Sequence, residues 1–126
     1  MLYENIIMSR MVKTMEVRIE KKDKKCILHV SGRIDTVTSP DLEEKIKQLE
    51  NEKFDEMEMD FSDVEYVSSS GLRIILTETK KSIKEGYSFI LTNPRDNVME
   101  ILEMTGFNEI MTIKKGVNYG KVGSYC

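Results

Sequence analysis

Histidine, cysteine and tryptophan are scarce in this chain of 126 residues, which has one histidine, two cysteines and no tryptophan. Cys26 lies inside an apolar segment and Cys126 ends the sequence, so the pair resembles neither a disulfide framework nor a set of metal ligands. Such cysteine usage is typical of a reducing cytoplasm. Residues 1–14 also lack the apolar core and cleavage site of a signal peptide, so we expect a cytoplasmic protein.

Long apolar runs and an excess of charge of one sign are missing as well. The longest apolar pieces have the length of a strand, far below the span of a bilayer, so we expect no membrane partner. The 19 lysines and arginines are nearly balanced by 22 acidic residues, which gives a net charge of −3. This balance provides no broad basic surface, and we therefore expect no nucleic-acid partner.

The sequence also lacks the usual catalytic motifs. The only histidine, His29, lies in a predicted strand, where a packed or edge residue is expected rather than a catalytic base. Residues 67–71 lack the first glycine of a serine-hydrolase elbow, and no glycine-rich phosphate loop ends in Lys-Ser/Thr. Asp35 and Asp63 are expected to form turns rather than a magnesium site. We expect neither an enzyme nor a cofactor.

The most informative segment is 56–86, which predicts a strand, a short acidic loop and a helix. Apolar and acidic residues alternate over residues 56–61, so we expect one buried face and one acidic face in water. Three serines and Gly71 precede an apolar repeat of helical period from Leu72 to Ile83, and Gly86 is expected to end the helix. Ser69 or Ser70 is the predicted N-cap. Gly71 is expected to leave room around the Ser70 hydroxyl.

The rest of the chain predicts an α/β fold. Residues 16–31 are typical of a hairpin, and Ser39 followed by Pro40 begins a helix with a buried stripe of Leu42, Ile46 and Leu49. A strand is expected over 87–92, then a helix closed by Gly106 and a last strand over 110–113. This order predicts a mixed, mostly parallel β-sheet whose first strand is antiparallel, with helices mainly on one side.

The segment DFSDVEYVSSSGLRIIL resembles the signature of the STAS domain, which sulphate transporters share with bacterial anti-sigma factor antagonists. HVSGRIDT, TSPDLEEKI and NVMEILEMTGF are similar to other family segments and occur in family order. The resemblance implies a single STAS-like domain at 15–114. It leaves a flexible N-terminal leader at 1–14 and a glycine-containing C-terminal tail at 115–126.

The resemblance implies a regulatory protein, also called an anti-anti-sigma factor. In the family the serine before Gly-Leu is phosphorylated, which places the modification on Ser70, with Ser69 as the fallback. The unphosphorylated chain is expected to bind a serine-kinase anti-sigma factor, to leave it on phosphorylation, and to be restored by a PP2C-type phosphatase. The candidate partner-binding residues lie in two loops: Arg33, Asp35, Thr36, Ser68, Ser69, Gly71, Leu72 and Arg73.

Two features of the same segment keep an alternative open. Many family members carry aspartate where this chain has Ser68, so this chain has less negative charge beside the acceptor serine. Serines before a helix also act simply as caps. The alternative is therefore a STAS scaffold subunit of a signalling or transport assembly that is never phosphorylated.

Overall fold

A computed structural model of the chain describes residues 14–119. The predicted leader therefore lies outside the described residues except for Thr14. The predicted tail is described only as far as Tyr119.

The described residues form one five-stranded sheet with strand order β1-β2-β3-β4-β5. β1 pairs with β2 in antiparallel orientation, and the other three pairs are parallel. This confirms the predicted mixed, mostly parallel sheet. The strands are β1 (Met15–Lys22), β2 (Lys25–Ile34), β3 (Glu56–Val67), β4 (Ser88–Thr92) and β5 (Thr112–Lys114).

Four helices follow the parallel strands in residues 14–119: α1 (Ser39–Lys47), α2 (Ser69–Glu85), α3 (Asp96–Met104) and α4 (Phe107–Ile110). α1 begins at the predicted Ser39-Pro40 pair. α2 ends as predicted at Gly86, whose left-handed backbone (φ 83°) suits a residue without a side chain and whose amide donates to Ser82 O at 2.8 Å. These local signals therefore locate the start of α1 and the end of α2.

The hydrophobic core lies between these helices and one face of the sheet. Alternate residues of the central strands point into it, and α1, α2 and α3 each contribute apolar side chains to the same cluster. Helices on one side of the sheet are thus confirmed for the described residues. The fully buried members include Leu28, Met59, Phe61 and Leu91 from the strands and Leu42, Ile75, Val98 and Leu102 from the helices.

The acidic face of β3 is buried at Glu58 and Asp60, and the expectation that these residues lie in water was wrong; Glu56 is partly exposed. Glu58 and Asp60 expose only 5% and 3% of their surface. Glu58 accepts bonds from Lys25 Nζ at 2.6 Å and from the Tyr119 hydroxyl at 2.8 Å. Asp60 lies 2.7 Å from His29 Nδ1 and also accepts from Ser62. These partners satisfy the carboxylates, so burial does not require apolar residues.

Two further expectations about this segment were wrong. The predicted acidic loop is strand, because β2 extends to Ile34 and provides backbone partners for β3 as far as Val67. Asp63 therefore lies in a strand opposite Ser31 rather than in a turn. Ile83 is not part of the buried stripe of α2 and remains 75% exposed.

Candidate functional site

The two loops that carry the candidate residues meet at one edge of the sheet. β2 and β3 are parallel neighbours, so the loops after them leave from the same edge, and Ile34 lies opposite Val67 in the register. The Ser68 amide donates to Ile34 O at 2.8 Å. The start of α2 is therefore fixed directly to the end of β2.

The three serines occupy three different positions at the start of α2. Ser68 is the N-cap residue, with an extended backbone, and its carbonyl accepts from Leu72 N at 2.9 Å. The prediction of Ser69 or Ser70 as N-cap was wrong, because helical dihedral angles already begin at Ser69. The buried Ser68 hydroxyl has no hydrogen-bond partner. Ser68 is therefore the N-cap residue by its backbone position, and its side chain makes no capping hydrogen bond.

Ser70 presents its hydroxyl at the side of the first turn of α2. The residue is half-buried, and its hydroxyl forms no hydrogen bond with any of residues 14–119, whereas Ser69 is exposed. Ser70 lines a shallow cavity of about 210 Å³ together with Thr36, Glu43 and Arg73. The amides of a first helical turn and the helix dipole favour an anion at such a position. A negative group on Ser70 therefore has a tolerant local environment.

Gly71 is required by the packing of the helix start. A Cβ atom there would lie 2.7 Å from Ile34 Cγ2 and 2.8 Å from Val67 Cγ1, well inside normal contact. Gly71 is buried, and Leu72 packs partly against the core. The Gly-Leu pair therefore holds the helix start on the ends of β2 and β3.

The loop after β2 is held by side-chain bonds to its own backbone. The Asp35 carboxylate accepts from the amides of Val37 at 3.0 Å and Thr38 at 3.1 Å, which confirms Asp35 as a turn residue. The bond from the Thr38 amide is the main reason that the pKa of Asp35 lies below its ordinary value. The Thr38 hydroxyl donates to Arg33 O at 2.7 Å. The loop is thus an ordered part of the site.

Two arginines and a glutamate lie near this edge of the sheet. The Arg33 guanidinium lies 4.5 Å from the centroid of the Tyr66 ring, on the sheet side, while exposed Arg73 borders the Ser70 cavity. Glu43 of α1 also borders this cavity and was missed by the sequence analysis. Its only sequence signal is its place on the outer face of α1, four residues after Ser39.

The described residues contain neither a metal-ligand cluster nor a membrane-spanning helix. No group of three or more His, Cys, Asp or Glu side chains within residues 14–119 is placed to hold a metal ion. None of the helices in this range is both long and apolar enough to span a bilayer. The side chains that line the Ser70 cavity include hydroxyl, guanidinium and carboxylate groups.

The STAS domain model matches residues 16–119, which is most of the chain. The anti-sigma-B factor antagonist of Bacillus subtilis is 26% identical over 99 residues, covering 79% of this chain and 90% of that protein. The fold is also that of an anti-sigma factor antagonist from Mycobacterium paratuberculosis, with a TM-score of 0.70, 23% identity, and coverage of 88% of this chain and 93% of that one.

The anti-sigma factor antagonist SpoIIAA has the same fold in two solved forms. The unphosphorylated form matches with a TM-score of 0.70 and 15% identity over 87% of this chain and 95% of that one. The phosphorylated Bacillus form matches with a TM-score of 0.63 and 15% identity over 87% and 98% of the two chains. With a domain match across residues 16–119 and curated relatives of this type, the chain belongs to the STAS domain family and is similar to its anti-sigma factor antagonists.

Proposed function

We propose that this protein is an anti-sigma factor antagonist controlled by phosphorylation of Ser70. In the unphosphorylated state it binds a serine-kinase anti-sigma factor and thereby frees a sigma factor. Phosphorylation by that kinase releases the complex, and a PP2C-type phosphatase restores the binding state. The chain itself is a substrate and a ligand, with ATP held by the kinase.

The placement of Ser70 is the observation that carries the proposal. Ser70 lines an open cavity at the first turn of α2, which Ser69 does not, and neither hydroxyl has a hydrogen-bond partner among residues 14–119. Ser68 is less suited because its hydroxyl is buried. The relatives support the same reading, since SpoIIAA is known in phosphorylated and unphosphorylated forms.

The proposed switch is electrostatic and local. A phosphate adds about −1.5 to −2 charges at neutral pH. A partner that covers Ser70 would have to remove water from this charge, in a cavity that Glu43 and Arg73 also line. Driving a complex from mostly bound to mostly free requires roughly 5 kcal/mol of differential affinity. A dianion enclosed in the interface can supply this amount when neither the partner nor Arg73 pairs with it.

The kinase assay tests the acceptor. The anti-sigma factors encoded in the source genome are purified and incubated with labelled ATP and the wild-type chain, Ser70→Ala or the matched control Ser69→Ala. Wild type and Ser69→Ala are expected to incorporate phosphate and Ser70→Ala is not. Labelling of Ser70→Ala at the wild-type level would refute the site, and labelling lost only in Ser69→Ala would move it to Ser69.

A binding assay tests the consequence of the modification. Ser70→Ala is expected to bind the anti-sigma factor as well as wild type, whereas Ser70→Asp should bind it more weakly. Equal affinity of the two variants would contradict release by charge. If no anti-sigma factor of the source genome labels or binds the wild-type chain, the scaffold alternative replaces the switch.

A further inference from the structure

One edge of the sheet is open at β1, which stands first in the strand order. β1 is eight residues long and pairs with β2 in one unbroken register from Met15 to Lys22. Within residues 14–119, no other strand pairs with it. Natural proteins often protect such an edge with proline or a β-bulge. β1 contains neither, so its outer side can accept another strand.

The backbone of β1 bonds alternately toward β2 and toward the open edge. Arg33 N donates to Thr14 O at 2.7 Å, so Thr14 and every second residue after it direct their backbone groups toward β2. The N–H and C=O groups that point outward belong to the residues between them: Met15, Val17, Ile19 and Lys21. An added strand therefore has to pair with these odd-numbered residues.

The even-numbered residues of β1 are charged and alternate in sign along the strand: Glu16, Arg18, Glu20 and Lys22. They lie on the face of the sheet away from the core, because the alternate residues Met15, Val17 and Ile19 pack against the core. Glu20 Oε1 lies 2.8 Å from His29 Nε2, which holds this carboxylate in place. A second strand laid against this edge therefore meets charges of both signs.

We propose that this edge pairs with β1 of a second copy of the chain, in antiparallel orientation and centred on Ile19. Ile19 then faces Ile19 of the second copy, and the outward backbone groups of both strands form the ladder. On the outer face, Arg18 faces Glu20 of the second copy, and Glu16 faces Lys22 of the second copy. The two-fold symmetry repeats both contacts, so every charged pair across the interface has opposite signs.

The alternation of charge selects this register over its neighbours. Sliding the second strand by two residues in one direction sets Arg18 opposite itself and Glu16 opposite Glu20. Sliding it equally far in the other direction sets Glu20 opposite itself and Arg18 opposite Lys22. Like charges directly opposite each other destabilise a strand pair. A row of one sign would keep another strand away in every register, whereas this row permits one register and opposes those next to it.

The interface is separate from the proposed switch. None of the residues that line the Ser70 cavity belongs to β1. The pairing therefore uses a different surface and does not depend on phosphorylation of Ser70. Eight residues on each side make a small interface beside the roughly 20–30 residues of a stable complex. We therefore expect a dimer that dissociates on dilution.

Sedimentation equilibrium of the full chain tests the dimer between about 1 µM and 1 mM. The average mass of the wild-type chain should rise toward that of two chains. Arg18→Glu sets carboxylates opposite each other and should raise the Kd of the dimer at least about tenfold, whereas Arg18→Lys should change it less than about threefold. Lys80→Glu is the matched control, because it makes the same change of charge on the exposed face of α2. It should dimerise like wild type.

An exchange of charges tests the register. Lys22→Glu and Glu16→Lys each set like charges opposite each other when the variant pairs with itself, so each should dimerise more weakly than wild type. Mixed with each other, the two variants restore opposite charges at both positions, and the mixture should dimerise with the wild-type Kd. A mixture no tighter than either variant alone would refute the proposed register.

Amide hydrogen exchange of the wild-type chain identifies the edge without any substitution. The amides of Val17, Ile19 and Lys21 should exchange more slowly as the dimer forms, while the amide of Arg18 is protected at every concentration. A chain that stays monomeric at about 1 mM, or a dimer that leaves the odd-numbered amides unprotected, overturns the proposal. So does a Kd that Arg18→Glu leaves unchanged, or that Arg18→Glu and Lys80→Glu raise equally while their circular dichroism spectra and Tm stay those of wild type.

Discussion

Replacing Gly71 with alanine should destabilise the domain although alanine favours helices. The added Cβ would lie 2.7 Å from Ile34 Cγ2 and 2.8 Å from Val67 Cγ1, where carbon atoms normally keep about 3.5–4.0 Å. Both neighbours are β-branched and buried, so they cannot rotate away easily. Overpacking of this kind costs about 1–3 kcal/mol.

The helix propensity of alanine opposes this cost. Alanine is better than glycine by about 1 kcal/mol inside a helix. With a clash at two stiff side chains, we place the overpacking term near its upper limit, so the net loss is about 1–2 kcal/mol. For a domain of this size the Tm should fall by about 5 °C. Urea unfolding followed by circular dichroism should show a lower midpoint with an unchanged slope.

A double-mutant cycle identifies the cause of the loss. Val67→Ala removes the Cγ1 atom that Gly71→Ala would meet, so it should cost at least about 0.5 kcal/mol less in the Gly71→Ala background than in wild type. Strictly additive effects would refute the proposed clash. A Gly71→Ala protein that is as stable as wild type, or more stable, would refute it as well.

Two further predictions concern buried carboxylates. Burial raises the pKa of Asp60, but hydrogen bonds from Ser62 and His29 outweigh burial, so the pKa is lowered overall. The ionised Asp60 carboxylate therefore stabilises the fold fully above its unfolded-state pKa, and this stabilisation is lost as pH falls through the folded-state pKa. Asp60→Asn should cost about 2 kcal/mol at pH 7 and unfold with a flatter pH dependence below pH 5 in urea titrations. Burial raises the pKa of Glu78. The stabilisation that protonated Glu78 contributes is therefore fully present below the ordinary glutamate pKa and is lost as pH rises through the folded-state pKa. Glu78→Gln should raise the Tm at pH 7 and change it little at pH 4; the same Tm gain at both pH values would contradict this.

Local signals predicted much of this fold because they depend on neighbouring residues. Pro40 at a helix start, Gly86 at a helix end and the alternating hairpin at 16–31 all appear where expected. The burial of Glu58 could not be predicted in this way. Its partners, Lys25 and Tyr119, lie 33 and 61 residues away, and only the folded sheet brings them together.

In the candidate site, too, features set by neighbouring residues were predictable and features set by distant residues were not. The sequence predicts serines at the start of a helix, and the family resemblance adds the loop after β2 to the same surface. The structure gives the reason, since β2 and β3 are parallel neighbours that end at one edge. The cap position was misplaced because three successive serines offer equivalent chemistry, and the backbone angles choose among them. Glu43 was missed because its proximity to Ser70 depends on how α1 lies beside α2.

The packing behind Ser70 bears on how a phosphate there would act. Gly71 leaves no space between the helix start and the ends of β2 and β3, and the Ser68 amide is bonded to Ile34 O. Ser70 itself faces an open cavity, so a phosphate can enter water without moving this packed layer. A switch at Ser70 therefore has to operate on the partner's surface rather than by refolding the domain. Ser70→Asp should accordingly lose binding while keeping the wild-type Tm, and a Tm loss that parallels the binding loss would favour refolding instead.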